Sequence, residues 1–565
     1  SSTVFMNSVG WVVWSCVLSL VWLLPNHYMP WLSFHADLLC AVVLTIATLP
    51  LIQNSFRKSH CGILSLLSGL AALVIGIQYA FGQIHHMGTA WIGIAYLTGF
   101  IWAIQTGKYW QINRNGLAAD AIFLAIGIAS IVSVGLQLQQ WFVLDGLFLW
   151  TMGGDSLRPQ ANFGYANLMG SLVDGGLLAG SWGVVRGYIR TNIAVLTGAF
   201  LLFGIGLTGS RIAWLNVGVL IGVVWFCRSW WGKGKAHWVV TGLGVYFLAC
   251  VVFQGLIQHW DQGGLAMVGM NENFNRPSGS IRIAAWSAFA DAALQQPWVG
   301  YGWGQIPLAQ MAVSIDHPNL GNVFSYSHNL FLDLILWFGF PLGGLVGCML
   351  LVWFVRSLSG IRNAEDLILM LFLLVVSIHA MVELPLYFGY FLLPVGIMVG
   401  IVESRMSQPS IFSVGQTARR LFWVASVALM VLIARDYFAV EARFRLVQMR
   451  WMNFNVAPEH NPQKLLLLSQ WANYFDFIDV PPSSQTTEIA RPKVADVIVL
   501  KPNLLLFYKV AGVMAWSGRP EEADLWLRRA CKSMQSSSCE TLKQMWNRAA
   551  KQDAKIAAVP WPAGL

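Results

Sequence analysis

Charge is what this chain has least of. Its 35 Lys and Arg and 26 Asp and Glu make up only 11% of 565 residues, against roughly 25% in soluble globular domains, while 56% of the chain is hydrophobic. A water-soluble enzyme is thereby excluded. A disordered scaffold is excluded as well, because 28 Trp and 32 Phe are far more aromatic mass than a solvated chain carries. Several chemistries lack their motifs. No Asp-x-Asp pair, His-Glu-x-x-His, Cys-x-x-Cys or Walker loop occurs, so neither a metal nor any other cofactor is expected. The one Gly-x-Gly-x-x-Gly match, Gly204, Gly206 and Gly209, ends an apolar run with no strand before it and reads as close helix packing.

What the chain does have is a succession of apolar runs able to cross about 30 Å of hydrocarbon. They fall at 8–24, 30–53, 62–81, 89–106, 117–136, 166–185, 193–209, 212–227, 237–256, 328–355, 366–386, 390–402 and 421–434, with 141–152 at the interface. The expected fold is an all-α polytopic membrane protein of about 12–13 transmembrane helices. The first run has no basic stretch before it and no small-residue cleavage site after it, so it reads as a span rather than a removable signal.

Seventeen of the basic residues lie beyond position 434, mixed with 12 of the acids, and the other eighteen are scattered between spans. That scatter leaves no footprint for nucleic acid, but it sets topology. With the N-terminus inside, fourteen basic residues from Arg57 to Arg420 fall on the inner face, and only Arg158, Arg211, Arg276 and Arg282 on the outer. The expected organisation is a transmembrane catalytic domain, 1–434, containing a large outer loop at 257–327, followed by a helical domain, 435–565, in the periplasm of a bacterial inner membrane. Within that domain, Pro502 to Trp516 and Ser517 to Leu527 read as two helices around a Gly turn. With Ala523 and Ala530 they resemble a tetratricopeptide-like hairpin, or else form a generic helical cap. Oxidation is allowed there, which permits a disulfide between Cys531 and Cys539.

Four outer arginines without a lysine are unusual, since translocated loops shed positive charge. Arg211, in Thr208-Gly209-Ser210-Arg211-Ile212-Ala213-Trp214, sits between two spans with almost no loop, where an arginine costs roughly 2.5–3.5 kcal/mol. Arg158 lies in a Gly-rich polar stretch, and Arg276 and Arg282 flank Pro277-Ser278-Gly279-Ser280. Guanidinium forks bind phosphate oxygens two at a time, so the set suits a diphosphate; pairing with Asp155, Asp261, Glu272 or Asp316 is the alternative. His328, at the mouth of a span in Ser327-His328-Asn329-Leu330-Phe331-Leu332-Asp333, can act as general base. His85, His86 and His379 are weaker candidates than His328, and His317 is its nearby competitor.

Arg211 in Gly-Ser-Arg-Ile-Ala-Trp, Arg282 in Ile-Arg-Ile-Ala-Ala-Trp ahead of Pro297-Trp298-Val299-Gly300-Tyr301-Gly302, and His328 in Ser-His-Asn-Leu-Phe-Leu-Asp resemble the O-antigen ligase/polymerase superfamily. Arg158-Pro159-Gln160-Ala161-Asn162-Phe163-Gly164-Tyr165-Ala166-Asn167 resembles an Arg-Pro…Asn-Phe-Gly-Gln-Pro-Asn segment of bacterial O-linked protein oligosaccharyltransferases, with Tyr165-Ala166 in place of Gln-Pro. Glu383-Leu384-Pro385-Leu386 and Tyr390-Phe391-Leu392-Leu393-Pro394 are similar to a further signature of the same transferases.

The resemblance implies a glycosyltransferase C-type fold and transfer of a glycan from undecaprenyl diphosphate to a Ser or Thr hydroxyl of a periplasmic, pilin-like acceptor protein. His328, Arg211 and Arg282 would be catalytic, with Arg158 and Arg276 further donor-binding residues. Asn162, Asn329, Glu383 and Tyr390 would support the site, Glu383 and Tyr390 by holding His328 or the acceptor. The implied partners are the lipid-linked donor, the acceptor protein and membrane lipid. Rival readings are an O-antigen ligase ending on lipid A core sugar, a polymerase, and a non-enzymatic lipid-linked sugar transporter.

Overall fold

Each expected span falls on a helix. A computed structural model describes residues 10–53, 59–142, 144–152, 158–227, 236–261, 279–406, 408–452, 454–455, 463–479 and 494–563. The helices are α1 (Gly10–Ser19), α2 (Phe34–Gln53), α3 (Ile63–Ala80), α4 (Met87–Asn113), α5 (Leu117–Trp141), α6 (Ala166–Val185), α7 (Thr191–Thr208), α8 (Arg211–Phe226), α9 (Ala236–Asp261), α10 (Gly279–Gln295), α11 (Ile306–Val313), α12 (Leu330–Leu358), α13 (Ala364–Ala380), α14 (Gly389–Arg405), α15 (Gln416–Trp451) and α16 (Gln470–Asp479), with shorter ones to the C-terminus. Nine helices among the described residues are long and apolar enough to cross a membrane, making this a multi-pass membrane protein. The run expected at 421–434 is part of the 36-residue α15, because the helix continues into the charged stretch where hydropathy has already fallen. The interfacial stretch forms a short 3-10 helix, Asp145–Trp150. Strand content among the described residues is one antiparallel pair, Ser59–Cys61 with Phe412–Val414.

The chain divides into two compact units. One comprises Ser1–Ser68, Thr98–Asn273 and Leu351–Val427. Its centre is α6, packed on α5, α7, α8 and α13. Small residues allow that density: a Cβ on Gly204 would stand 2.5 Å from Val134 of α5, and one on Gly206 3.1 Å from Cys250 of α9. The Gly-x-Gly-x-x-Gly match is therefore packing, as expected. Some of the charge inside this unit is paired. Asp120 accepts from Trp182 Nε1 (2.8 Å), Tyr188 Oη (2.8 Å) and the Nε and Nη2 of Arg186 (3.0 and 3.1 Å).

The other unit comprises Gly69–Leu97, Phe274–Leu350 and Ala428–Leu565. Its membrane helix α12 is broken, with Gly339 at φ 76° and Pro341 two residues on. Proline has no N–H for the Trp337 carbonyl four residues back, and Gln78 Nε2 of α3 donates there instead, at 2.7 Å. The flanking groups pair with the segment 297–302: Tyr301 N donates to Leu336 O (2.6 Å) and Phe340 N to Pro297 O (2.8 Å). The approach is closest at two glycines of positive φ. A Cβ on Gly300 would lie 2.5 Å from Leu336 O, and one on Gly339 would lie 2.4 Å from the Trp298 carbonyl carbon.

The C-terminal region builds its own core from Phe444, Tyr474, Phe507, Trp526, Leu527 and Trp546. The helices Leu504–Trp516 and Pro520–Ser533 turn at Gly518 (φ 73°), with Ala523 and Ala530 fully buried between them, as the hairpin pattern expects. Met311 of α11 belongs to this core and Val323 packs on it. The chain is fastened to α15 by the fully buried Asp436, which pairs with Arg435 (2.7 Å) and accepts from the backbone N–H groups of Leu466 (2.7 Å), Leu467 (2.6 Å) and Leu468 (3.0 Å).

Asp436→Ala leaves three backbone donors, two of them buried, without an acceptor and is expected to destabilise this unit by about 3 kcal/mol. Thermal unfolding of the detergent-solubilised protein should show the loss, with Asp436→Asn intermediate. Burial pushes the Lys501 ammonium from 10.5 down to about 8, although it lies 4.9 Å over the Phe444 ring. Between those values the unfolded chain binds more protons than the native one, so stability should rise with pH through that window, and Lys501→Met should flatten the rise.

Candidate active site

The first unit carries Arg158, Arg211, Asn162, Glu383 and Tyr390. Arg211 opens α8 behind the N-cap Ser210, whose Oγ accepts from Ala213 N at 3.3 Å. Its charge thus adds to the positive end of the helix dipole instead of opposing it. It is exposed and makes no ion pair among the described residues. Arg158 donates from Nε to Thr208 O at 2.8 Å, which sets it on the turn that presents Arg211. Two cationic groups on one turn, at a helix N-terminus, form an anion-binding arrangement.

The backbone around Arg158 is held by residues the sequence did not single out. Gln140 Oε1 accepts from Gln160 N (3.1 Å) and Ala161 N (2.6 Å), and its Nε2 donates to Met152 O (2.8 Å), around Ala161 in the left-handed region at φ 52°. Asn162 is buried, bonded through Oδ1 to His27 Nε2 (3.0 Å) and through Nδ2 to Leu24 O (2.5 Å), so it ties the segment to the end of the α1 region. Tyr390 is buried in α14, its ring 6.4 Å from Phe163 and its N–H on Asp37 Oδ1 at 3.0 Å. Glu383 Oε1 accepts from Asn167 Nδ2 (3.1 Å), and Asn167 Oδ1 accepts from Ser210 Oγ (2.7 Å). This relay ends on the residue before Arg211. His379 is fully buried against Ser171 Oγ (2.6 Å), which makes it part of the packing.

The second unit carries Arg282, His328 and Asn329. His328 is a non-glycine residue at positive φ (60°), a conformation that costs on the order of 1 kcal/mol and persists only where surroundings over-determine it. They do so here. The buried Asp333 accepts from Ser327 N (2.8 Å), Ser327 Oγ donates to Asn329 O (3.1 Å), and Asn329 Oδ1 caps Leu332 N (3.1 Å). Trp286 Nε1 closes the set on Ser327 O at 3.0 Å. The imidazole is half-buried, edge-on to Phe324 (5.2 Å) and Tyr326 (4.6 Å).

Arg282 lies one turn before Trp286 on the same face of α10, so the spacing Arg-Ile-Ala-Ala-Trp directs it to the side of α10 that meets the His328 loop. The competitor His317 is engaged through Nε2 with Asp291 Oδ2 at 2.8 Å. Arg276 lies outside the described residues, as do Asp155 and Glu272. No group of three or more His, Cys, Asp or Glu side chains gathers in a metal-holding arrangement among the described residues. Asp333 and Trp286 could have been found from sequence, as an acid inside an apolar run and a tryptophan four residues beyond an arginine.

Known proteins resemble this chain in sequence. Residues 196–347 match the family described as O-Antigen ligase, and residues 367–536 match the family described as Virulence factor membrane-bound polymerase, C-terminal. A "General O-oligosaccharyltransferase" of Acinetobacter baylyi (strain ATCC 33305 / BD413 / ADP1) is 27% identical over 519 residues, 90% of this chain and 89% of that one. A "ComP-specific O-oligosaccharyltransferase" of the same organism is 26% identical over 373 residues, 63% of this chain and 66% of the relative. Fold and relatives together point to a membrane-embedded glycosyltransferase. These similarities support an O-oligosaccharyltransferase of the O-antigen ligase superfamily.

If the Glu383–Asn167–Ser210 relay sets Arg211, then Glu383→Gln, which keeps an acceptor for Asn167, should hold transfer within about threefold of wild type. Glu383→Ala should cost about tenfold. Equal losses in both variants would assign the role to the carboxylate charge instead.

Proposed function

We propose that the protein takes a glycan assembled on undecaprenyl diphosphate and transfers it to a Ser or Thr hydroxyl of an acceptor protein such as a pilin, on the periplasmic side of a bacterial inner membrane. Transfer of an oligosaccharide in O-linkage is what its relatives are named for, and the finer reading rests on the site. The observation that carries it is His328, held in a left-handed backbone by Asp333, Asn329 and Trp286 and opening a membrane helix.

In this reading the acceptor oxygen attacks the anomeric carbon while an imidazole nitrogen of His328 takes the hydroxyl proton. The bond from that carbon to the diphosphate oxygen breaks, and the electron pair leaves with the lipid diphosphate. Arg211 and Arg282, with Arg158 and Arg276, neutralise the charge growing on those oxygens. Arg211 suits this because the helix end beneath it also favours an anion. Residues 1–434 then form the catalytic membrane domain, and the helical region 435–565 receives the protein acceptor. With no acidic pair of the metal-binding kind in the sequence, transfer is expected to persist in chelator.

Intact-protein mass spectrometry of a pilin from cells making a lipid-linked glycan tests the reading. Wild-type enzyme should add a glycan-sized mass, and His328→Ala should lose it by at least about a hundredfold, the usual scale for a general base. Arg211→Lys and Arg282→Lys should each fall short of wild type, since lysine keeps the charge but not the fork. If the pilin stays unmodified while lipopolysaccharide gains its O-chain, the ligase reading replaces this one.

A further inference from the structure

The loop that delivers His328 is tied to the C-terminal helices. Asn319 sits nine residues before the histidine. Its Oδ1 accepts from Gly321 N at 2.7 Å, shaping the loop's own turn, while its Nδ2 donates to Cys531 O (2.7 Å) and Met534 O (2.8 Å). Those carbonyls lie at the end of the helix Pro520–Ser533, whose C-cap, Met534, is extended at φ −125° and ψ 166° rather than left-handed. The final turn therefore lacks the glycine-type closure that usually satisfies such carbonyls, and one side-chain amide from the loop supplies two hydrogens.

The position of that helix end is fixed covalently. A disulfide joins Cys531 to Cys539 of the next helix, Ser536–Ala550, across the turn that contains Met534. From Asn319 the loop runs to His328 with little slack. Leu320 is buried, Val323 packs on the C-terminal core, and the buried Gln310 grips both sides, donating to Asn322 O (2.8 Å) and accepting from Phe324 N (2.7 Å). Phe324 is the ring against which the His328 imidazole stands, and behind it lies Phe289 of α10 at 6.4 Å.

We propose that Asn319 is a positioning residue for His328, anchoring the catalytic loop to a helix end that the Cys531–Cys539 disulfide holds in place, so that full transfer requires the disulfide closed. The proposal rests on His328 being the proton acceptor. It makes part of the C-terminal region a brace for the catalytic loop, beside any role in receiving the acceptor.

The amide's two ends allow a separating test on the full-length protein. Asn319→Asp keeps the oxygen that Gly321 needs but turns a carboxylate oxygen toward the two carbonyls, so it opens the anchor and spares the turn. Hydrogen–deuterium exchange of peptides over 318–328 should rise in Asn319→Asp and in the Cys531→Ser/Cys539→Ser double variant, while the core helix Leu504–Trp516 exchanges as in wild type. Pilin glycosylation in cells should fall about five- to thirtyfold in both. His328→Ala should abolish glycosylation with no change in exchange. The proposal is overturned if Asn319→Asp exchanges like wild type over 318–328, or if exchange rises there while glycosylation is unchanged. Retained glycosylation in His328→Ala would instead sink the underlying reading of the site, and this proposal with it. Should the double serine variant fail to accumulate, Asn319→Asp alone decides.

Discussion

In hydrocarbon, a backbone group without a partner costs several kcal/mol, and the architecture around His328 answers to that constraint. Helix α12 breaks at Gly339 and Pro341, which strips its own partners from the Leu336 and Trp337 carbonyls and from Phe340 N. Each is recovered from elsewhere in the unit: by Tyr301 N, by the Gln78 side chain and by Pro297 O. Because these replacements come from two other stretches of chain, the break also acts as a joint. It fixes the segment 297–302 and α3 against the helix whose first turn presents His328. Gly300 and Gly339 are required there by contact distance, since any side chain would enter a peptide group.

The same economy governs the candidate site. His328 and the turn of Arg158 and Arg211 are each built from strained or irregular backbone, and most of what stabilises them is amides, hydroxyls and caps: Gln140 and Asn162 beneath Arg158, Asn167 and Ser210 beneath Arg211, and Ser327, Asn329 and Gln310 around His328, with one acid behind each set, Glu383 on Asn167 and Asp333 on Ser327. Arg186, by contrast, is held by two acids, Asp120 and Glu365.

Much of this was legible in the sequence. All thirteen apolar runs lie on helices, and of the arginines that topology should have excluded from the outer loops, Arg158, Arg211 and Arg282 are found on irregular backbone or at helix starts. What hydropathy missed was the true length of α15, because a helix can outlast its apolar face. What the motifs missed were the supports. Gln78 meets Trp337 across 259 residues of chain, and Asn319 meets Cys531 across 212. A single polar side chain of this kind has no period and no charge to betray it, so only coordinates reveal which backbone atom it serves. The Glu383 signature was visible, but its partner was not: the carboxylate reaches Asn167 and through it the cap of α8.

On the proposed mechanism, folding and chemistry favour different residues at position 328. Glycine would occupy φ 60° without strain, so a search for thermostable variants that ignores activity would drift toward it and away from the imidazole. A histidine retained on such backbone is therefore poorly explained by stability, and a chain of this superfamily that had lost its transfer role would be expected to relax first at that loop.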